Sequence, residues 1–578
     1  MFVPTDKQRS LLECQFLLPK EKASRLRKSW AAPFRERVLP LIDEEVFRDA
    51  FSSTTGRPNK SIRLLAGLHL LKEWNDLTDE QVIDHLEYNL QWHYALAVES
   101  DTAHVCQKTL HNFRVLLMSN RRAQQVFEDV TRGLAKMDGL GLGRQRLDST
   151  HVISNIAVLT RLGLFVETVT HFLRELRKSF PESYASLKAG YGRRYLDREG
   201  YFSDAKREQA RRRLPVVARD VHALVVAFEE DVSVSSLPAY ALLKRLFVEQ
   251  CEVVVDVGAG DTGDASDGDE SSIGGGGGRV RVRDPKTIPS GSLQSPHDPD
   301  VTYGHKGKGH EVQVAETCDD ENPYQLITGT QVNGANESDQ NAVLPMLDQL
   351  EESGMQPETM MADTGYGSGA NIVESAERGV DLHAPVQDPH APPSTDHFDA
   401  PVDEGSETTS SPTNPAGPPL PGAGPLGLEW FSFDKTSCLL FACPMGKPAD
   451  KQRVTDGVLT ATFSAATCAN CPLAAQCPTR RFPSGTRQLR RARTTIATEV
   501  RQAEQRSTSF KDQYRIRSGI ESTNRELKSR HGLGDLRVRG KPRVTLAVVL
   551  KALALNVKRA AQWHVSVMSA EALAVCPA

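Results

Sequence analysis

Residues 513–532 read QYRIRSGIESTNRELKSRHG. Tyr514, Arg517, Glu521 and Lys528 follow one another at offsets of three, four and seven residues. On a 3.6-residue helix those offsets place all four on one stripe. The stripe presents an acid flanked by two cations and a phenol. A carboxylate in that setting can bind a divalent cation, while the cations hold phosphates. Arg525 adds a further cation on the same helix. A single Arg–Glu pair at this spacing is an ordinary feature of an exposed helix; the complete four-residue pattern is much rarer.

Working upstream, ETMMADTGY is a short strand that ends on Asp363, and RQRLDSTHVISN is a strand carrying Asp148. Val312 and Val314 alternate with polar neighbours as in a strand, YQLITGTQV offers another, and NAVLPMLDQLEESG reads as a helix ending near Gly354. An Asp at a strand end is usually a turn residue or a helix cap, so each acid carries weight only in company with the others.

The four-residue stripe resembles the Tyr-Arg-Glu-Lys motif of bacterial insertion-sequence transposases of the DDE type, residue by residue. The segment Asp363-Thr364-Gly365-Tyr366 is similar to the setting of their second catalytic Asp, and Asp148-Ser149-Thr150 to that of the first. The N-terminal helices, closed by KTLHNFR, also look like the N-terminal region of these proteins. The resemblance implies a ribonuclease H-like mixed α/β sheet with flanking helices, interrupted by insertions, plus an all-helical N-terminal domain. Two Asp come from strands and the Glu from a later helix. It implies Asp148, Asp363 and Glu521 as catalytic residues holding two Mg²⁺ (or Mn²⁺) ions, with Tyr514, Arg517, Arg525 and Lys528 on the DNA. Two such ions about 3.5–4 Å apart stabilise the attacking and leaving oxygens of a phosphodiester.

The domain expectation is a helical DNA-binding segment over 1–138 and the first part of the catalytic domain over 139–160. A helical insertion follows over 161–257, then a disordered acidic, Gly-rich linker over 258–299. The catalytic domain continues over 300–386. A disordered Pro-rich linker spans 387–426, and a β-rich insertion with clustered cysteines spans 427–494. The Glu helix and a closing helix occupy 495–565. In the N-terminal segment, Thr78 followed by Asp79, Glu80 and Gln81 marks a helix start. A second helix opens near Lys108, and two short helices joined by a tight turn are compatible with DNA binding. VTLAVVLKALALNVKRAAQW reads as an amphipathic closing helix.

The composition, 39% hydrophobic and 25% charged over 578 residues, is that of a soluble multidomain protein. There is no apolar run of membrane-spanning length and no secretory pattern at the start, so the chain is expected in the cytoplasm; the resemblance implies a bacterial cell and association with the nucleoid. The net charge of −4 conceals segregation. Residues 480–559 hold 21 Lys or Arg against 6 Asp or Glu, whereas 249–270 is acidic. A local basic excess is the footprint of a phosphate-binding surface. The expected partners are double-stranded DNA, as terminal inverted repeats and as target, and a second copy of the chain on that DNA. His305, Lys306 and Lys308 lie in a strand–turn segment, either meeting phosphate or simply solvated, and His151 lies close to Asp148.

Five of ten cysteines fall between Cys438 and Cys477. Cys468 and Cys471 have the two-residue spacing that lets both thiolates face one ion. With Cys477 and Cys443 they form a candidate structural Zn²⁺ site, Cys438 competing for the fourth position. The function that these readings imply is cleavage at terminal inverted repeats and strand transfer into target DNA. The alternative is a domesticated or decayed transposase that only binds DNA.

Overall fold

The computed structural model describes residues 1–5, 13–157, 159–188, 190–197, 207–255, 278–387, 426–434 and 437–574. Most of the two low-order linkers expected from composition, 258–277 and 388–425, lies outside the described residues.

At the centre is a mixed sheet whose strands come from distant parts of the chain. β1 is Arg144–Val152, β2 Gly307–Thr317, β3 Ile327–Gly334, β4 Thr359–Met361 and β5 Asp381–His383. Their order across the sheet is β3-β2-β1-β4-β5, with the short strand Thr302–Gly304 also paired to β2. The β1–β2 and β2–β3 pairs are antiparallel, while β1–β4 and β4–β5 are parallel. Alternation along β1 turns Leu147 to one core and Val152 to another. Arg146 and Asp148 share the face of Val152.

Before β1, every described element from Cys14 to Asp138 is a helix. α1 (Ile62–Trp74) starts on Ser61, whose side chain accepts from the Leu64 amide, and buries residues on all sides. α2 (Asp79–Tyr88) opens with a full capping box between Thr78 and Gln81, as the sequence predicts. The expected two-helix arrangement is not continuous: α3 (Leu90–Leu96) intervenes before α4 (Gln107–Met118), with Trp92, Tyr94 and Leu96 buried. α5 (Arg122–Asp138) leads into β1. These helices share one core with the closing helix and with Val312, Val314 and Ile327 of the sheet.

α6 (Val343–Glu352) and α7 (Gly369–Glu377) cover the other face, packing on Leu147, Ala315 and Met360. Gly354 follows α6 at φ +67°, a left-handed residue just beyond the helix end. The described elements between Arg161 and Gln250 are all helices, as read, and form a third core. That core takes in Cys251 and Leu293. Residues 278–299 depart from the expected linker. Gly278–Val282 pairs antiparallel with Cys251–Val255, and Leu293, Ser295 and Asp298 are buried. The valines of RVRV supply pairing and burial that the neighbouring glycine run conceals in an average over the segment.

α8 (Ile520–Arg530) and α9 (Lys541–Ala574) complete the fold. α9 corrects the amphipathic reading, because Lys551, Asn556 and Lys558 are buried together with its apolar residues. Each finds a partner: Lys551 with Glu73 at 2.7 Å, Asn556 with both the amide and carbonyl of Ile327 at 2.7 Å, and Lys558 with Glu526 at 2.7 Å. A helix crossing the middle of the molecule carries polar groups only where they are satisfied. Among the described residues, no helix is long and apolar enough to cross a membrane.

His69, buried on α1, holds the Leu65 carbonyl through Nδ1 at 2.8 Å and leaves Nε2 without a partner. Burial pulls its pKa down to about 4. A depressed folded-state pKa contributes stability that is complete above the unfolded value of 6.5 and lost as pH falls toward 4. By pH 5 that loss is about 2 kcal/mol. His69→Leu, which takes up no proton, is expected to show a smaller Tm drop between pH 7 and pH 5 than the wild type. Equal drops would remove His69 from the account.

Candidate active site

Register does the first part of the assembly. Arg146 of β1 lies beside Met361 of β4 in a parallel pair. Two residues further along come Asp148, still on β1, and Asp363, beyond the last paired residue of β4, so the two carboxylates emerge level with each other. Asp363 stands just past the end of β4, where a turn returns the Tyr366 amide to its carbonyl at 3.1 Å and the Gly365 amide to its Oδ1 at 2.7 Å.

Arg517 joins the two acids. Its Nη2 lies 3.1 Å from Asp148 Oδ1 and 3.5 Å from Asp363 Oδ2. Asn524 donates from Nδ2 to Asp148 Oδ2 at 3.1 Å. Burial pushes the Asp148 carboxyl up; Arg517 opposes that, and the charge of Asp363 adds to it. Burial works against the Arg517 charge, but Asp148, Tyr514 and Asp363 outweigh it and hold its pKa above the usual range. Tyr514 sits within the same field and is pushed up by burial, Asp363 and Asp148.

The stripe from Tyr514 to Lys528 is not one helix. The helix Thr508–Tyr514 tightens into a 3₁₀ turn over Arg515–Gly519, and α8 begins at Ile520. Arg517 precedes the break and Asn524 follows it, yet both reach Asp148. Glu521 lies between them in the first turn of α8 and is exposed. Among the described residues it makes no hydrogen bond or ion pair. Two of the three sequence-read acids are therefore brought together, and among the described residues no contact joins the Glu521 side chain to either. Arg525 is exposed one turn on. Burial and Lys306 lower the pKa of Lys528, with Glu311 opposing.

A buried ion network docks α8. Glu316 of β2, fully buried, accepts from Arg146 at 2.6 Å, from Thr523 at 2.6 Å and from Arg559 of α9 at 2.6 Å. Arg146 also donates to the Ile516 carbonyl at 2.9 Å. A Cβ on Gly519 would lie 2.1 Å from Arg146 Nη1, so a larger residue there would push on a guanidinium already held by Glu316 and the Ile516 carbonyl. Near the C-terminal end of β1, Lys306 pairs with Glu311 at 3.0 Å and His151 lies 3.6 Å from the same carboxylate. Burial raises the Glu311 carboxyl, but His151, Lys306 and Ser149 outweigh it and hold it at about 2. His305 is exposed, and Lys308 donates to the Leu159 carbonyl at 2.7 Å.

Sequence reading missed Asn524 and Asp339. Asn524 had a usable signal, since it lies three residues past Glu521 on the same helix face. Asp339 had none: it lies in a 3₁₀ segment over Asp339–Ala342, and its partners come from strands distant in the chain.

The cysteines separate into two places. Cys438, at φ +54°, directs its Sγ toward the Arg493 carbonyl at 3.9 Å. Cys443, Cys468, Cys471 and Cys477 instead line one cavity of about 180 Å³ with Phe463 and Leu473. Gly446 at φ +70° closes a turn onto the Cys443 carbonyl at 2.8 Å, and the Cys471 amide meets the Cys468 carbonyl at 3.4 Å. Burial raises the Cys468 thiol, and the three neighbouring thiols add to that.

Among the described residues, no three His, Cys, Asp or Glu side chains are gathered tightly enough to hold a metal ion as they stand. The chemistry of the acid site nevertheless suits a hard cation. Two carboxylates face each other across parallel strands, and Asn524 keeps a buried Oδ1 with no hydrogen-bond partner.

Comparison with known families gives two matches. Residues 442–561 match the model described as Transposase DDE domain, and residues 22–116 match Transposase domain (DUF772). These matches support a transposase of the DDE type. The first covers the four cysteines of the cavity, Arg517, Glu521, Asn524 and Arg559; the second covers α1, α2, α3 and most of α4. Asp148 and Asp363 lie in neither, so their assignment rests on the geometry above. No curated protein and no solved structure matches the chain.

Proposed function

We propose that this chain cleaves DNA at the terminal inverted repeats of an insertion sequence and transfers the freed strands into target DNA. Asp148, Asp363 and Glu521 are its catalytic acids. The observation that carries this reading is the level placement of Asp148 on β1 and Asp363 just past the parallel β4, joined by Arg517. The sheet order and the helix carrying Glu521 support a ribonuclease H-like catalytic domain.

Asp148, Asp363 and Glu521 would hold two divalent ions, Mg²⁺ or Mn²⁺. When bound, such ions stabilise charge on the attacking and leaving oxygens of the phosphodiester. Glu521, on the first turn of α8, would complete the set. Arg517 bridges the two Asp and, with Tyr514, Arg525 and Lys528, orients the phosphates of the DNA end. The basic segment 480–559 supplies the wider binding surface, and the N-terminal helices bind the repeats. Two copies pair on two DNA ends. Binding is steeply salt-dependent, with a log–log slope of about −0.9 per phosphate neutralised.

The test incubates the purified chain with Mg²⁺ and DNA carrying the flanking inverted repeats. Strand transfer is expected from the wild type and not from Glu521→Gln. Repeat-specific binding without any cleavage would favour a protein that only binds DNA. The detached position of Glu521 is what keeps that second reading in view.

The four cysteines that line the one cavity would close on one structural Zn²⁺ in the same proposal. Elemental analysis is expected to find one zinc per chain in the wild type and none in Cys471→Ser. Removing the zinc should unfold residues near 440–492 first, because a closed site contributes folding free energy directly. A zinc-free wild type of equal Tm would end this part of the reading.

A further inference from the structure

The turn between β3 and α6 carries a carboxylate that the reaction as proposed does not use. Asp339 is half-buried on that turn. Its Oδ1 accepts from Gln313 Nε2 at 2.8 Å, and its Oδ2 accepts from Ser149 Oγ at 3.4 Å. Ser149 is the residue next to Asp148. Gln313 of β2 has its amide engaged at both ends, because its Oε1 accepts from the hydroxyl of Tyr366. Tyr366 is fully buried and closes the turn that begins at Asp363. The hydrogen bonds therefore run in one direction, from the Tyr366 hydroxyl through Gln313 to the Asp339 carboxylate, where the Ser149 hydroxyl also ends.

A second tie connects the same two segments independently. Asn371, buried on α7, donates from Nδ2 to the Gln340 carbonyl at 2.9 Å and to the Tyr366 carbonyl at 2.9 Å. The turn at 339–340 is thus stitched to the turn at 363–366 by side chain and by backbone. The two carboxylates also share a gap. A Cβ on Gly365 would lie 2.9 Å from Asp363 Oδ1 and 3.6 Å from Asp339 Oδ2.

We propose that Asp339 is a positioning residue that sets the separation of Asp148 and Asp363, acting through Ser149 on one side and the Gln313–Tyr366 relay on the other. The proposal rests on the reading of those two acids as cation ligands. Register alone aligns the strands, but Asp363 lies past the last paired residue of β4 and is held by its turn. A clamp on that turn is what fixes its carboxylate. Groups that orient metal ligands in this way typically change metal affinity by 10–100-fold when removed.

The test compares the full-length wild type with Asp339→Ala and Asp339→Asn. Hydrogen exchange is measured across residues 363–367, and Mn²⁺ affinity by calorimetry. Asp339→Ala is expected to speed exchange at 363–367 about tenfold and to weaken Mn²⁺ about tenfold. Asp339→Asn keeps a side chain that accepts from Gln313 and bonds Ser149. It should restore the exchange protection and bring Mn²⁺ affinity to within about threefold of wild type. Unchanged exchange in Asp339→Ala would overturn the proposal, as would Asp339→Asn behaving like Asp339→Ala in both measurements. A wild type that binds no Mn²⁺ would defeat the cation reading itself. Exchange at 363–367 would then still decide whether Asp339 clamps the turn.

Discussion

Asp148→Asn is expected to reduce cleavage by about 10³-fold or more while leaving the Tm equal to or above that of the wild type. The loss of activity follows from removing a charged oxygen ligand whose role no neighbour duplicates. The retained stability follows from the local electrostatics. Asp148 is mostly buried, and both burial and the Asp363 charge raise its pKa. A carboxyl whose folded-state pKa is raised contributes stability at low pH that is lost as pH rises through that value. The amide is never charged, so the variant escapes the loss. Its hydrogen bonds can also be rebuilt. Arg517 still finds an amide oxygen, and the new Nδ2 can donate to Asn524 Oδ1, which is buried and unpartnered beside it. DNA binding measured without metal should be unchanged. A variant that is both inactive and markedly less stable would show that Asp148 serves the fold rather than the chemistry.

Arg517→Met is expected to be the most damaging change near the site, costing about 3 kcal/mol when no divalent cation is present. The guanidinium is mostly buried, with a side-chain exposure of 17% against 13% for Asp148. Its removal leaves two carboxylates facing each other with only Asn524 between Asp148 and an uncompensated charge. Asp148 would then answer by holding a proton to still higher pH. The variant should therefore lose more stability at neutral pH than under acid conditions, where the carboxyl is already protonated. Millimolar Mg²⁺ supplies a replacement positive charge, so it should raise the Tm of Arg517→Met more than that of the wild type. Equal responses to Mg²⁺ in the two proteins would mean that no cation enters between Asp148 and Asp363.

Much of the local structure was legible in advance. The Thr78 capping box, the helix ending near Gly354 and the short strand before Asp363 all depend on neighbours within a few residues, and all form as read. The readings that failed depend on remote partners. α9 looked amphipathic because Lys551, Asn556 and Lys558 are polar; they are buried because Glu73, Ile327 and Glu526 come to meet them. Residues 278–299 looked unstructured because the adjoining glycine run dominated the composition. The four-residue stripe looked like one helix, since its spacing says nothing of the tightening at Arg515–Gly519 that accommodates Arg146.

The cysteines show the same division. Spacing alone singled out Cys468 and Cys471 but left Cys438 and Cys443 as rivals. Backbone geometry separates them, turning Cys438 toward Arg493 and Cys443 into the shared cavity.

By itself, the sequence determined which acids to consider, their order and the local setting of each, because turns, caps and alternation are written over a few neighbouring residues. It also determined that Glu521 travels with Arg517 and Lys528. Only the tertiary structure decided that Asp148 and Asp363 stand level, that Asn524 and Arg517 meet on Asp148, and that Asp339 lies against both acid-bearing segments. Those facts follow from the register of strands far apart in the chain and from the ion network around Glu316. Register is set by the packing of whole faces, which no short stretch of residues encodes.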